Sequence, residues 1–347
     1  MSDSAAAEAS SHNLSLSMKK VLITGNAGMI GTVLSRHFEE GGYQVVGVDN
    51  LSGGFREHVS DRVRFYPADI CDAALMNRIF LVEKPNYVIH CAAYAAEILS
   101  PFVRNFNYTN NLVGSINLIN ASINHSVEKF VNFSSIATYG DVQAPFVETQ
   151  ARAPKDCYGI AKLAVEADLA EAGEHFGLNY STLLPHNVIS LYQNYYDRYR
   201  NVIAIWIRQC LYGENISIFG DGSQVRSFSD ASFMCSPVEK LLTMEDRDYY
   251  NIGSDQPITI LAAAQLLLKV AAKFGYKDSK IVHLEARREV KTVYSSHEKA
   301  HRVLGFEDRT DLEKTIHEMF EYASKLERRE VVTMPYEITK NMYSFWK

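Results

Sequence analysis

Short apolar runs recur along the first half of the chain, near 20–24, 44–49, 62–66, 87–92, 129–134 and 180–185, and between them apolar positions space out to helical intervals. Short runs bounded by turn-forming residues read as buried strands, and the periodic stretches between them read as helices. Such alternation predicts a doubly wound parallel sheet, because parallel strands need crossover connections and the crossover helices cover both faces. Ligands of this architecture bind beyond the carboxyl ends of the strands. Gly25, Asp49, Cys91, Ser135 and Pro185 all stand at those ends.

The first strand, Lys20 to Thr24, breaks into Gly25-Asn26-Ala27-Gly28-Met29-Ile30-Gly31, and a helical pattern follows from Thr32 to Glu40. Glycines there permit a tight turn, close approach of backbone to a pyrophosphate and close packing of helix on strand, while the helix start offers free N–H groups to phosphate. The second strand, Gln44 to Val48, ends in Asp49. A carboxylate at that place accepts hydrogen bonds from the adenosine ribose hydroxyls and repels a 2′-phosphate, so the spacing argues for NAD rather than NADP.

A second constellation lies further on. Tyr158 and Lys162 are four residues apart in Tyr158-Gly159-Ile160-Ala161-Lys162, hence on one helix face, and Ser134-Ser135 precede them at the end of a strand. The ammonium of Lys162 favours tyrosinate at Tyr158. Bringing a phenol from about 10 to near 7 takes roughly 4 kcal/mol, within reach of Lys162 aided by an oxidised nicotinamide. Those residue types make a proton-transfer device, with Tyr158 as its candidate base.

Composition narrows the possibilities. With 347 residues and 47% hydrophobic content the chain can bury one large α/β core and a smaller lobe. A net charge of −6 and scattered Lys and Arg give no reason to expect nucleic acid. Cys71, Cys91, Cys157, Cys210 and Cys235 are an odd number without metal spacing, which suits reduced thiols in a cytoplasmic protein with neither disulfides nor zinc. Residues 1–17, rich in Ala and Ser, read as a disordered tail that is neither signal peptide nor anchor, and no apolar run is long enough to span a membrane.

Further motifs occur in order: Asp69-Ile70, His90-Cys91-Ala92-Ala93, Asn110-Asn111, Tyr139-Gly140, Pro185-His186-Asn187-Val188, Ile218-Phe219-Gly220-Asp221-Gly222, Arg226-Ser227-Phe228 and Arg287-Arg288-Glu289-Val290. With the motifs above, the chain from about residue 18 to 347 resembles the extended short-chain dehydrogenase/reductases, in particular the NAD-dependent nucleotide-sugar epimerases and dehydratases, and most of all the UDP-glucose 4-epimerase type. The resemblance implies a Rossmann-type sheet (18–185, with a return around 232–254) and a smaller interleaved α/β lobe for the nucleotide sugar (186–231 and 255–347). It implies that NAD is held by Gly25, Gly28, Met29, Ile30, Gly31, Asp49 and Asn50, with Asp69 and Ile70 flanking the adenine. Cys91, Ala92, Ala93, Asn110, Tyr158, Lys162 and Pro185 complete the cofactor site. The substrate is a nucleotide-diphosphate sugar. Arg226 and Arg287 suit its phosphates by paired, charge-assisted hydrogen bonds. By resemblance Asn187 and Asn201 donate to phosphate, Phe219 packs on the base and Glu289 accepts from a ribose hydroxyl. Relatives dimerise through helices corresponding to Phe106–Asn124 and Tyr158–His175, so a homodimer is expected.

Tyr158 as tyrosinate would take the proton of a sugar hydroxyl while the hydride on the same carbon passes to NAD. Ser135 would hydrogen-bond the reacting oxygen, and Lys162 would also bind the nicotinamide ribose. A typical 4,6-dehydratase adds an acid/base pair straight after the Ser, where this chain has Ile136 and Ala137. Neither transfers a proton, so 4-epimerisation is the expected reaction. Dehydrogenation, 3,5-epimerisation, an atypical dehydration and a drifted, NAD-bound regulatory protein stay open. Several places depart from the family pattern: Leu184, Ile189-Ser190-Leu191, Asp230 to Phe233, and Cys157 where proline is usual. Cys157 reads as a small buried thiol, Asp230 as a helix cap, Arg288 as surface, and His90 and His186 as packing residues.

Overall fold

Seven apolar runs pair into one parallel sheet in the structure, a computed structural model that describes residues 19–346. The expected tail at 1–17 lies outside the described residues. The strands are β1 (Lys20–Thr24), β2 (Gln44–Asp49), β3 (Arg64–Pro67), β4 (Tyr87–His90), β5 (Lys129–Phe133), β6 (Tyr180–Pro185) and β7 (Asp248–Ile252), in the spatial order β7-β6-β5-β4-β1-β2-β3. Every neighbouring pair is parallel. The chain runs outward from β1 to β3, then restarts on the other side of β1 at β4. That reversal opens a crevice beyond the carboxyl ends of the two central strands. In register, Thr24 lies opposite both Val48 and His90, so the segments leaving β1, β2 and β4 emerge side by side.

Apolar helix faces cover the sheet. On one side α1 (Met29–Glu40) buries Leu34 and Phe38. On the other, α2 (Ala73–Glu83), α3 (Gly114–Asn124) and α4 (Cys157–Phe176) bury Phe80, Leu118, Val165 and Leu169 among others. Each such side chain contributes about 1.5–3 kcal/mol by leaving water. Capping carboxylates fix two starts: Asp72 accepts from Leu75 N and Asp156 from Gly159 N.

Two details differ from the expectation. β4 ends at His90 instead of 92, because Cys91 onward leaves the sheet to form the cavity floor, with Cys91 N still reaching Thr24 O at 3.2 Å. The helical stretch across 104–124 is interrupted by a π-helical turn at Thr109–Val113. Asp230 does cap, accepting from Ser232 N at 2.8 Å at the head of a short 3-10 turn.

A further apolar cluster lies outside the sheet, formed by helices Val202–Leu211, Ile260–Lys273 and Leu312–Ser324 around Trp206, Leu267 and Phe320. Short strands Ile216–Phe219 and Ile281–Leu284 pair beside it. Residues 332–346 run back across the molecule, where Trp346 packs with Phe102, Tyr199 and Tyr343. On this segment the Glu337 carboxylate accepts from Asn105 N and Phe106 N at 2.7 and 2.8 Å, capping the helix that begins at Arg104. Among the described residues no helix is long and apolar enough to cross a membrane.

Candidate active site

A cavity of about 830 Å³ crosses the carboxyl ends of the strands and extends under the outer lobe. At its inner end β1 turns at Gly25, whose φ of +68° favours glycine and where a Cβ would come within 2.8 Å of Ala92 N. Gly31 sits against the carbonyl of Gly25, and any Cβ there would collide with it. No side chain caps the start of α1, which leaves its first N–H groups to the cavity that Gly28, Met29, Ile30 and Gly31 line. Asp49 is held at the mouth of this turn: Oδ2 accepts from Ala27 N at 3.0 Å and Oδ1 from Leu51 N at 2.7 Å. Burial pushes its pKa up, and these backbone bonds with the charge of Arg200 oppose that. A backbone-fixed carboxylate beside an uncapped, glycine-lined helix start fits a dinucleotide.

Asn50, Ile70, Cys91, Ala92, Ala93, Asn110 and Pro185 also line the cavity. Asn110 stands on the π turn, donating to Asn111 Oδ1 at 2.8 Å. Asp69 is not brought into the wall. It lies behind Asn50, accepting from Asn50 Nδ2 at 3.0 Å and from Cys71 N at 2.8 Å.

Tyr158 is the second residue of α4, and its N–H donates to Ser100 Oγ at 3.1 Å. Ser135 follows β5 and faces the cavity, with Oγ accepting from Ala137 N at 3.1 Å, whereas the Ser134 hydroxyl turns inward to Glu166. Lys162 lies one turn along from Tyr158, yet its Nζ is 6.0 Å from the tyrosine ring centre and donates to Phe133 O at 2.8 Å. Burial pushes the Lys162 amine down to about 8. It pushes the Tyr158 phenol up, reinforced by the carboxylate of Glu97, while Ser135 and Arg200 pull the other way. Lys162 is not among the side chains that pull the phenol down here, and the joint action expected of Lys162 and an oxidised nicotinamide would rest mainly on the latter. Helical spacing put both on one face, but the longer side chain reaches past the ring to a backbone carbonyl.

At the outer end, Arg226 Nη2 lies 3.0 Å and Arg287 Nε 3.5 Å from the Glu289 carboxylate. The Arg287 guanidinium stacks 4.0 Å from the centre of the Phe219 ring, and Phe345 meets the same ring at 4.5 Å. Asn187 (φ +41°) and Asn201 (φ +57°) both occupy the left-handed region, which asparagine tolerates better than most residues. Asn201 donates to Val188 O at 2.7 Å, and its buried side-chain oxygen has no partner. All seven residues expected to hold substrate, Ser135, Asn187, Asn201, Phe219, Arg226, Arg287 and Glu289, line this cavity.

Residues set aside in the sequence are accounted for by contacts. Cys157 is buried with its Sγ 3.3 Å from Arg104 Nη1. His90 bridges Thr24 and Ser115 at 2.8 Å each. His186 Nε2 lies 3.0 Å from His297 Nε2, and His297 Nδ1 2.7 Å from Asp255.

Sequence reasoning missed Glu97, Arg200, Tyr343 and Trp346, all in the wall. Arg200 pairs with Asp197 at 2.9 Å, lies 4.4 Å from the centre of the Tyr94 ring and packs on Gly53, where a Cβ would strike the guanidinium. The available signal for Glu97 was a lone acid within the otherwise uncharged run Ala92 to Leu99. For Arg200 it was adjacency to Asn201. Nothing local marked the aromatic residues near the C-terminal end.

Residues 21–253 match the model of the NAD dependent epimerase/dehydratase family. A UDP-glucose 4-epimerase of Halalkalibacterium halodurans is 29% identical over 306 residues, covering 83% of this chain and 90% of the relative. Among solved structures, UDP-glucose 4-epimerase of Thermotoga maritima with UDP-glucose superposes with a TM-score of 0.83 at 33% identity, covering 88% of this chain and 99% of that one. The UDP-glucose 4-epimerase of Thermus thermophilus in complex with NAD gives 0.82 at 26% identity, with coverages of 88% and 100%.

Proposed function

Because the chain belongs to the NAD-dependent epimerase/dehydratase family, we propose that this cavity interconverts the C4 epimers of a UDP-hexose. NAD is the cofactor, and when bound it would supply a reversible hydride acceptor for the reacting carbon. The observation that carries the reading is one continuous cavity with Ser135, Tyr158 and Lys162 at one end and Arg226 and Arg287 at the other. The arginines hold the diphosphate, which leaves the sugar to extend toward Tyr158. Tyr158 takes the proton of the C4 hydroxyl and gives it back, and Ser135 steadies the oxygen as it becomes a carbonyl. Burial and Glu97 raise the phenol's pKa while Ser135 and Arg200 oppose them, and an oxidised nicotinamide bound beside Tyr158 would add to that opposition. Lys162 serves mainly to hold the nicotinamide ribose. Ile136 and Ala137, where an acid/base pair would stand, supply no proton for loss of water.

Residues 18–185 with 232–254 form the NAD half in this reading, and 186–231 with 255–347 the sugar half. The assembly is a cytoplasmic homodimer through the helices at 106–124 and 158–175, a reading supported by exposed Val113 and Ile160 on these segments. Incubation of purified protein with UDP-glucose or UDP-galactose, followed by NMR of the sugar, is expected to give the same mixture from either side without net NADH. Stoichiometric NADH would favour a dehydrogenase. A second reading, dehydration of the same keto sugar, is favoured by one observation: Glu97 offers a carboxyl near Tyr158 that the segment after Ser135 lacks. A product lighter by one water would select it.

A further inference from the structure

Glu97 lies on the loop between β4 and the helix at Arg104, and two hydrogen bonds tie it to the catalytic tyrosine. Its carbonyl accepts from Ser100 Oγ at 2.7 Å, and Ser100 Oγ in turn accepts from Tyr158 N at 3.1 Å. Its side chain reaches the open space of the cavity, although protein encloses that space on most sides. Other acids in the neighbourhood are held: Asp156 caps α4, and Glu289 is shared by Arg226 and Arg287. Among the described residues no side chain donates a hydrogen bond to the Glu97 carboxylate, and no cation lies within ion-pair distance.

The charges that face it locate it. Its charge acts on the Tyr158 phenol and is felt by the Asp156 carboxylate near the inner end, and it is also within reach of Arg226, Arg287 and Glu289 of the outer end. On the reading above, which this step rests on, diphosphate lies at the arginines and the reacting carbon at Tyr158, so the sugar ring fills the interval that Glu97 faces.

We propose that Glu97 selects the sugar: its carboxylate accepts hydrogen bonds from the hydroxyls of an uncharged hexose and excludes nucleotide sugars that carry a carboxylate on the ring. A deprotonated carboxyl at this place, with Asp156 and Glu289 nearby, opposes a second negative group, whereas hydroxyl donors satisfy it. The exclusion depends on charge. Burial and the neighbouring acids hold the Glu97 carboxyl above the ordinary range, so it loses its proton nearer neutrality than a free glutamate does. Discrimination therefore grows as pH rises.

The test is calorimetric binding of UDP-glucose and UDP-glucuronate to the NAD-loaded protein at about pH 6 and about pH 8.5, for the wild type, Glu97→Gln and Glu97→Asp. UDP-glucose is expected to bind at least about tenfold more tightly than UDP-glucuronate at the higher pH, with the ratio shrinking at the lower. Glu97→Gln should abolish the pH dependence of that ratio and improve UDP-glucuronate binding. Glu97→Asp keeps the charge and should keep the dependence, which a purely structural role would not predict. Equal binding of the two sugars by the wild type, or a ratio unmoved in Glu97→Gln, would overturn the role of Glu97 and leave the epimerase reading standing. Failure of both sugars to bind while NAD binds would overturn both.

Discussion

The two halves of the cavity are built by different means. At the inner end the shape is set by backbone: Gly25 and Gly31 leave no room for a Cβ, α1 starts uncapped, and Asp49 is pinned by two main-chain N–H groups. At the outer end it is set by side chains already engaged with one another, as Arg226 and Arg287 share Glu289 and Phe219 lies against both Arg287 and Phe345. The first kind of site is ready before its ligand arrives. The second exchanges internal partners for ligand, so part of the gross interaction offsets contacts that are lost.

The largest effect is expected where the halves meet. Tyr158→Phe removes one oxygen and preserves ring packing, so turnover should fall by about 10²–10⁴ while calorimetric affinity for NAD and UDP-sugar changes little. An unchanged rate would remove Tyr158 from the chemistry. Asp49→Ala attacks the inner half alone and should narrow the preference for NAD over NADP by about ten- to hundredfold, the worth of hydrogen bonds to a charged group. A preserved preference would show that the carboxylate does not read the ribose.

Phe345→Ala sharpens the contrast at the outer end. If the base stacks on Phe219 as expected, this removes a ring that would compete with it, so UDP should bind about two- to tenfold more tightly, with NAD affinity unmoved. Weaker UDP binding would make Phe345 part of the base site instead.

The smallest effect is a pH profile. The folded Lys162 amine titrates near 8 against a reference value of 10.5. Below about 8 it is charged in both folded and unfolded chains. Between 8 and 10.5 only the unfolded chain holds the proton, so the contribution of this group to stability rises with pH across that window. NAD affinity should change in the opposite sense, falling several-fold as Lys162 discharges above about 8, and Lys162→Met should show neither trend.

Legibility in the sequence followed the same division. Gly25 to Gly31, Asp49, Ser135 and Tyr158 sit on or next to regular elements, where local spacing fixes position, and the sheet and its ends were predictable for that reason. The aim of the Lys162 side chain was not, since period gives a face and no rotamer. Glu97, the π turn carrying Asn110, and Arg200 escaped because their meaning depends on which distant segment they meet. Arg200 touches Gly53, and Trp346 touches Phe102, contacts that no sequence window spans.

The chain has two tryptophans, and both border the cavity. Trp206 is fully buried beneath it, donating to Ser217 O at 2.8 Å, while Trp346 sits in the aromatic cluster of the crossing segment. Intrinsic emission is therefore an optical gauge with two lamps, one in the core of the outer lobe and one on the crossing segment. Reduced nicotinamide absorbs where tryptophan emits, so energy transfer would dim both lamps when the cofactor holds hydride, whereas displacement of residues 332–346 would shift the colour of Trp346 alone. Replacing Trp346 with Phe would separate the two signals in a single stopped-flow trace, without any label.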